Sequence, residues 1–186
     1  MDHPSQVYAR QLFPMRFGYP LYYPEPLGNM SLELRKRGIS IGDVGHVTPD
    51  GRFHFAFNIF TPQTNVAINR SGLPDGFREM TLVDDDISRF PNKHPEKSAL
   101  KVEGKSTTSP VEFKIDYNFA TSTSESALLT MPHGAMGEDY DRKKEIRTYS
   151  IENAPSWYTF INGTLGREAP NGSLYIVTGC DKSATW

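Results

Sequence analysis

The stretch 39–60 constrains the fold more than any other part of the chain. Thr48-Pro49-Asp50-Gly51 is a turn signal, because Pro presets the first central position and Gly accepts positive φ. After it, Phe53, Phe55, Phe57 and Ile59 alternate with Arg52, His54, Ala56 and Asn58, the period of a strand. Before it, 39–47 reads as a strand interrupted by Gly42 and Gly45. The two runs predict a β-hairpin over 39–60 with a three-residue loop and a glycine bulge. Loop length fixes register. With Thr48 opposite Arg52, Val47 faces Phe53, His46 faces His54, and Gly45 faces Phe55, an aromatic ring over a glycine. Asp43 then falls on the apolar side, so a register shift is expected near Gly42.

A second hairpin is expected over 100–119. Residues 100–103 form a short strand and 104–110 a loop. In 111–119, Val111, Phe113, Ile115, Tyr117 and Phe119 alternate with Glu112, Lys114, Asp116 and Asn118. One face buried and one wet is the mark of an antiparallel sheet. Residues 126–131 read as a further strand, ended by Pro132. Residues 174–178 are apolar on both sides, as in an interior strand. The polar stretch 61–98 holds Asp84-Asp85-Asp86, a turn or a single helical turn. Short helices are expected near 31–37, between Ser31 and Gly38, and near 139–151, on a thin stripe of Ile146, Tyr149 and Ile151. A third is expected near 154–162, started by Asn153-Ala-Pro155, burying Trp157, Phe160 and Ile161, and stopped by Gly163. Strands, then helices, then a strand point to an α+β fold with a mainly antiparallel sheet.

The N-terminal part differs. Pro4, Pro14, Pro20, Pro24 and Pro26 are interleaved with Phe13, Phe17, Tyr19, Tyr22 and Tyr23. Prolines so placed oppose a continuous helix or central strand. Residues 1–38 therefore read as an extended arm with one short helix, lying on the domain or presenting a partner-binding surface. Residues 39–186 read as one α+β domain. A chain of 186 residues can bury about 70% of its unfolded surface without staples. Its close at Trp186, just past a strand, suggests the N-terminal part of a longer protein.

Charge is nearly balanced, 20 Lys+Arg against 22 Asp+Glu, which argues against a nucleic-acid partner. Arg35-Lys36-Arg37 suits the C-terminal end of a helix dipole. No apolar run approaches the roughly 18 residues of a membrane span. The N-terminus shows no signal-peptide pattern, and a single cysteine cannot pair internally, so a reducing, cytoplasmic setting is expected. Asn29, Asn69, Asn162 and Asn171 match the glycosylation pattern, but Asn-Gly at 162 and 171 also reads as a turn.

Few residues suggest chemistry. His46 and His54 are metal-ligand candidates as cross-strand neighbours, yet a site needs a third ligand from His133, Asp43 or the 84–86 run. That acidic run lacks calcium-loop spacing. Cys180, beside Lys182, is a candidate nucleophile that needs a histidine brought near in space; otherwise it is a small buried residue at a strand end. Gly179-Cys-Asp-Lys-Ser lacks the glycines of a phosphate loop. Tyr19, Tyr22, Tyr23 and Trp157 are candidates to line a ligand site, or else to pack the core. Three functions follow. The first is a non-enzymatic module binding an unknown protein or small molecule, without cofactor. The second is an enzyme using metal at His46/His54 or the thiol of Cys180. The third is an assembly unit, a possible homo-oligomer, associating through an exposed strand.

Several blocks stand out together: Gly18-Tyr-Pro-Leu-Tyr-Tyr-Pro-Glu-Pro26, Ile39-Ser-Ile-Gly-Asp-Val-Gly45, Thr48-Pro-Asp-Gly-Arg-Phe53, Ser156-Trp-Tyr-Thr-Phe-Ile-Asn-Gly163 and Asn171-Gly-Ser-Leu-Tyr-Ile-Val-Thr-Gly-Cys-Asp-Lys182. In combination, the chain over about 18–186 resembles the N-terminal region of a large uncharacterised protein family of mushroom-forming (basidiomycete) fungi. The resemblance implies a chain running on past the Gly-Cys-Asp-Lys stretch. It implies no activity and no functional residue.

Overall fold

The computed structural model of the chain describes residues 2–103 and 125–185. In chain order its elements are α1 (Pro4–Leu12), α2 (Leu32–Arg37), β1 (Asp43–Val47), β2 (Phe53–Asn58), β3 (Ile87–His94), β4 (Ser98–Glu103), β5 (Ser126–Met131), β6 (Ala135–Tyr140), α3 (Lys143–Thr159), β7 (Leu174–Ile176) and β8 (Gly179–Lys182). The strands make three small antiparallel sheets, in the orders β2-β1-β7, β3-β6-β8 and β4-β5. The fold is α+β with antiparallel sheets.

The first hairpin has the expected register: Val47 opposes Phe53, His46 opposes His54, and Gly45 opposes Phe55. The irregularity lies between Val44 and Gly45, not near Gly42. There β2 carries one extra residue, Ala56, so the chain bends and the alternation breaks. The apolar residues expected on one face are therefore divided. Phe57 and Ile59 enter the main core with Trp157, Phe160 and Ile161, while Phe53 and Phe55 pack with Leu34 and Ile68. On the alternate set, Ala56 and Asn58 are buried. An aliphatic or polar residue at position 45 is excluded, since a β-carbon there would run into the His54 carbonyl.

Other expectations need correction. The described partner of β4 is β5, with Leu100 opposite Leu129; the expected partner strand 111–119 lies outside the described residues. Residues 139–140 end β6, so the helix begins only at Lys143. It then runs without a break through Pro155 and ends in a π-helical turn, Phe160–Thr164. Proline costs a helix the bond to the carbonyl four residues back. Here that carbonyl belongs to Ile151, whose residue is 71% exposed, so water can take the place of the missing donor. Residues 84–86 form the expected single turn, a 3-10 turn, Asp84–Asp86.

The arm is not wholly extended. Pro4 occupies the first helical position, where the absent N–H costs nothing, and the His3 side chain caps the helix through the Ser5 amide. Leu12 of α1 packs with Leu100, Val102, Ala127 and Met131, giving β4-β5 its own small core.

The stretch 174–178 is not an interior strand either. β7 is the edge of the first sheet and β8 the edge of the second. The chain crosses between them at Val177 and Thr178. Val177 exchanges hydrogen bonds with the backbone of Gly42 and Asp43 (2.8 and 2.9 Å), and the next carbonyl, Thr178, accepts from Tyr140 of β6 (2.8 Å). One short segment thus joins two sheets.

Asp43 anchors this junction. Its side chain is 2% exposed and pairs with Arg37 of α2 at 2.7 Å. Its carboxylate also accepts from the Ser40 amide (2.8 Å) and from Asn58 Nδ2 (2.8 Å). The Asn58 backbone amide in turn donates to Asn69 Oδ1 (2.9 Å), and Asn69 Nδ2 donates to the Thr61 carbonyl (2.8 Å). Asn69, within a glycosylation pattern, is buried in this network. Burial pushes the Asp43 carboxyl up, and Arg37, Asn58 and the Ser40 amide pull it back. Removing one partner of a buried pair leaves the other charge uncompensated, at about 3–5 kcal/mol. Asp43→Ala should therefore cost about 3–5 kcal/mol in urea unfolding; a loss near that of an exposed surface substitution would contradict the network's role.

Candidate functional site

The chain folds around a cavity of about 730 Å³. One wall is the arm, contributing Phe17, Tyr19 and Tyr22. The opposite wall is the crossing segment, from Tyr175 of β7 to Lys182 of β8. Leu12 of α1 and Leu100, Leu129 and Met131 of β4-β5 line the apolar side, and the C-terminal turn of α2 lines another. The cavity lies where the segment switches sheets.

Its aromatics touch one another and remain partly exposed. Phe17, Tyr19 and Tyr175 are each more than a third exposed. The Tyr19 and Tyr175 rings sit 5.7 Å apart, and Phe17 meets the His94 ring edge-on at 5.1 Å. Burial, with Tyr175 nearby, raises the Tyr19 hydroxyl above its ordinary pKa. The arm is held in place by the first hairpin's turn. The Gly51 carbonyl accepts from the amides of Tyr22 (3.1 Å) and Tyr23 (3.3 Å). The Arg52 guanidinium lies 4.2 Å from the centroid of the Tyr23 ring, a cation–π contact. Tyr8 and Tyr22 pack edge to face, and burial pushes the Tyr8 hydroxyl up to about 12.

The charges on the wall fall into two groups. Asp181 is shared between Lys93 Nζ (2.8 Å) and His94 Nε2 (3.2 Å). At the α2 end stand Arg35, Lys36, Arg37 and Lys182. Lys182 Nζ donates to the Arg37 carbonyl at 3.2 Å, on the last residue of α2.

The residues singled out from sequence disperse. Tyr19 and Tyr22 line the cavity, Tyr23 stacks behind it on Arg52, and Trp157 lies in the core beside Phe57, at 5.5 Å between ring centroids. His46 and His54 are neighbours, with ring centroids 5.1 Å apart. Burial lowers His54 to about 4, helped by Arg167 and His46. Arg167 Nη1 bonds the carbonyls of His54 (3.3 Å) and Phe55 (2.7 Å), which sets a fixed cation where a metal would need anionic help. Among the described residues no group of three His, Cys, Asp or Glu is placed to hold a metal. Asp84 and Asp86 are engaged by Arg89 (2.6 Å) and Arg142 (3.2 Å). Cys180 is half-buried on β8, its Sγ 3.7 Å from the Ile39 carbonyl. The site residues that sequence reasoning did not select are Phe17, His94, Tyr175 and Lys182. Tyr175 had a local signal, as the outward residue between Leu174 and Ile176; the others gain meaning only from distant partners.

Comparison of the chain with protein-family models, with curated proteins and with solved structures found no match. Among the described residues no helix is long and apolar enough to cross a membrane.

Burial pushes the Cys180 thiol up to about 11, against a pull in the other direction from Lys182. A thiol so placed is almost fully protonated at pH 8, whereas an unfolded cysteine titrates near 8.5. Ellman's reagent at pH 8 should therefore label the native protein about a hundredfold more slowly than the urea-unfolded chain. Equal rates would show an activated or freely exposed thiol.

Proposed function

We propose that the chain is a small-molecule-binding module whose site is the cavity between the arm and the crossing segment. The observation that carries this reading is the pairing of a cavity of about 730 Å³ with half-exposed aromatic rings from distant parts of the chain. That volume suits a single organic ligand, and binding sites of this kind are lined mainly by apolar and aromatic groups with a few polar ones. Phe17, Tyr19 and Tyr175 leave apolar surface in water that a flat ligand would cover, gaining about 25 cal/mol per Å² buried. Their rings also favour stacking or edge contacts with another π-system.

The enzymatic alternative has less support. A thiol held near 11 is a poor nucleophile at neutral pH, and Arg167 crowds the histidine pair. The apolar lining favours a ligand with an aromatic or otherwise hydrophobic body.

N-phenyl-1-naphthylamine, an uncharged probe that brightens in apolar surroundings, tests this directly. It should bind saturably with one site per chain. Tyr19→Ala combined with Tyr175→Ala should weaken binding about tenfold, or about 1.4 kcal/mol, with little change in Tm. Absence of saturable binding, or binding indifferent to both substitutions, would contradict the reading.

A further inference from the structure

The cavity's two ends differ in charge, and the difference specifies the ligand further. Of the charged residues on its wall, Asp181 is already shared by Lys93 and His94, and Arg37 is committed to Asp43. Arg35, Lys36 and Lys182 then face a single acidic wall residue, Glu25. A chain of net charge −2 thus places a surplus of positive charge along this cavity.

The C-terminal end of α2 accounts for part of this, since its carbonyls favour cations. Lys182, from β8 and far along the chain, joins the same helix end. The amine of Lys182 is delivered to the Arg37 carbonyl at 3.2 Å, adding a further cation where three already follow one another. Crowding like charges at the mouth of a low-dielectric cleft costs energy, and the same field concentrates anions there. An anionic group on the ligand removes that cost. Meanwhile the opposite side, built from Leu12, Leu100, Leu129 and Met131, offers nothing to a charge.

We infer that the ligand of this cavity is an amphipathic anion: a hydrophobic body with one carboxylate, sulfonate or phosphate head seated between Arg35, Lys36 and Lys182. The inference rests on the binding reading above, and names its substrate class. The head lies at the α2 end, and the body extends along Tyr19 and Tyr175 toward β4-β5. The volume admits one such molecule and not a polymer, so the basic residues serve a small ligand rather than a nucleic-acid backbone.

A matched pair of probes separates the two claims. 8-Anilinonaphthalene-1-sulfonate differs from N-phenyl-1-naphthylamine by its sulfonate. The anionic probe should bind the intact chain at least tenfold more tightly than the neutral one, and each should displace the other. Raising the salt from 50 to 500 mM should narrow the gap, as screening shortens the reach of the cations. Lys36→Gln with Lys182→Gln should weaken binding of the anionic probe at least tenfold and so abolish the preference. A fatty acid and its phosphate-headed analogue, used as competitors of the bound probe, then distinguish carboxylate from phosphate heads. If the neutral probe binds as well as the anionic one, and the lysine substitutions change neither, the charge inference is overturned and the binding module stands. If neither probe binds saturably, both are overturned.

Discussion

A buried carboxylate is costly to remove from water, and three chain segments converge on that of Asp43 to offset the cost. Arg37 comes from the end of α2, the Ser40 amide from the following turn and Asn58 from β2, while the backbone carbonyl of the same residue accepts from the Val177 amide. The desolvation of a single charge is worth several kcal/mol unless it is paired and fully hydrogen-bonded. The geometry around Asp43 is therefore demanding, and what it demands is specific. α2 must end where it does, the β2 bulge must turn Asn58 inward, and the 174–182 segment must cross there. Asn69 extends the same network into the long connection after β2, so a stretch without regular strands is held by polar contacts.

From that anchor the cavity follows. The crossing segment supplies an edge to each of two sheets, so it cannot be covered on both sides by strands. β4-β5, with α1 laid across it, forms a separate small core. The arm, pinned through Tyr22, Tyr23 and the turn at Gly51, lines the gap between these bodies. Aromatic residues that in a continuous core would be buried are left half-exposed along the gap. The ion pair that fixes α2 also fixes the helix end carrying Arg35 and Lys36. The folding constraint and the polarity of the cavity thus share a residue, Arg37.

What was legible in the sequence was local. The turn Thr48-Pro-Asp-Gly51 set the first hairpin's register, and the His46–His54 pair followed from it. Ser31 and Gly38 bounded α2, and the Trp157, Phe160 and Ile161 stripe marked the buried end of α3. The misreadings have physical causes. Pro4 reads as a breaker, yet the first helical position tolerates it. Pro155 reads as a start, yet the helix continues through it at a turn where Ile151 is an exposed residue. The bulge at Ala56 reassigned a whole set of side chains, a consequence of one unpaired residue that alternation alone does not reveal. The 174–178 stretch is apolar because Leu174 and Ile176 pack against the main core while Tyr175 borders the cavity, not because it lies inside a sheet. Of the site, Tyr19 and Tyr22 were legible as aromatics among prolines. The meeting of Tyr19 with Tyr175, and of Lys182 with α2, depends on contacts between distant segments, which periodicity does not encode.

Hydrogen–deuterium exchange on the intact chain, with and without 8-anilinonaphthalene-1-sulfonate, addresses the central claim that the arm and the crossing segment enclose one binding cavity. The account predicts that saturating probe slows exchange at 17–23, 35–38 and 174–183 together. Exchange in α3, none of whose residues lines the cavity, should be unchanged. Protection confined to another surface, or spread evenly over the chain, would contradict it.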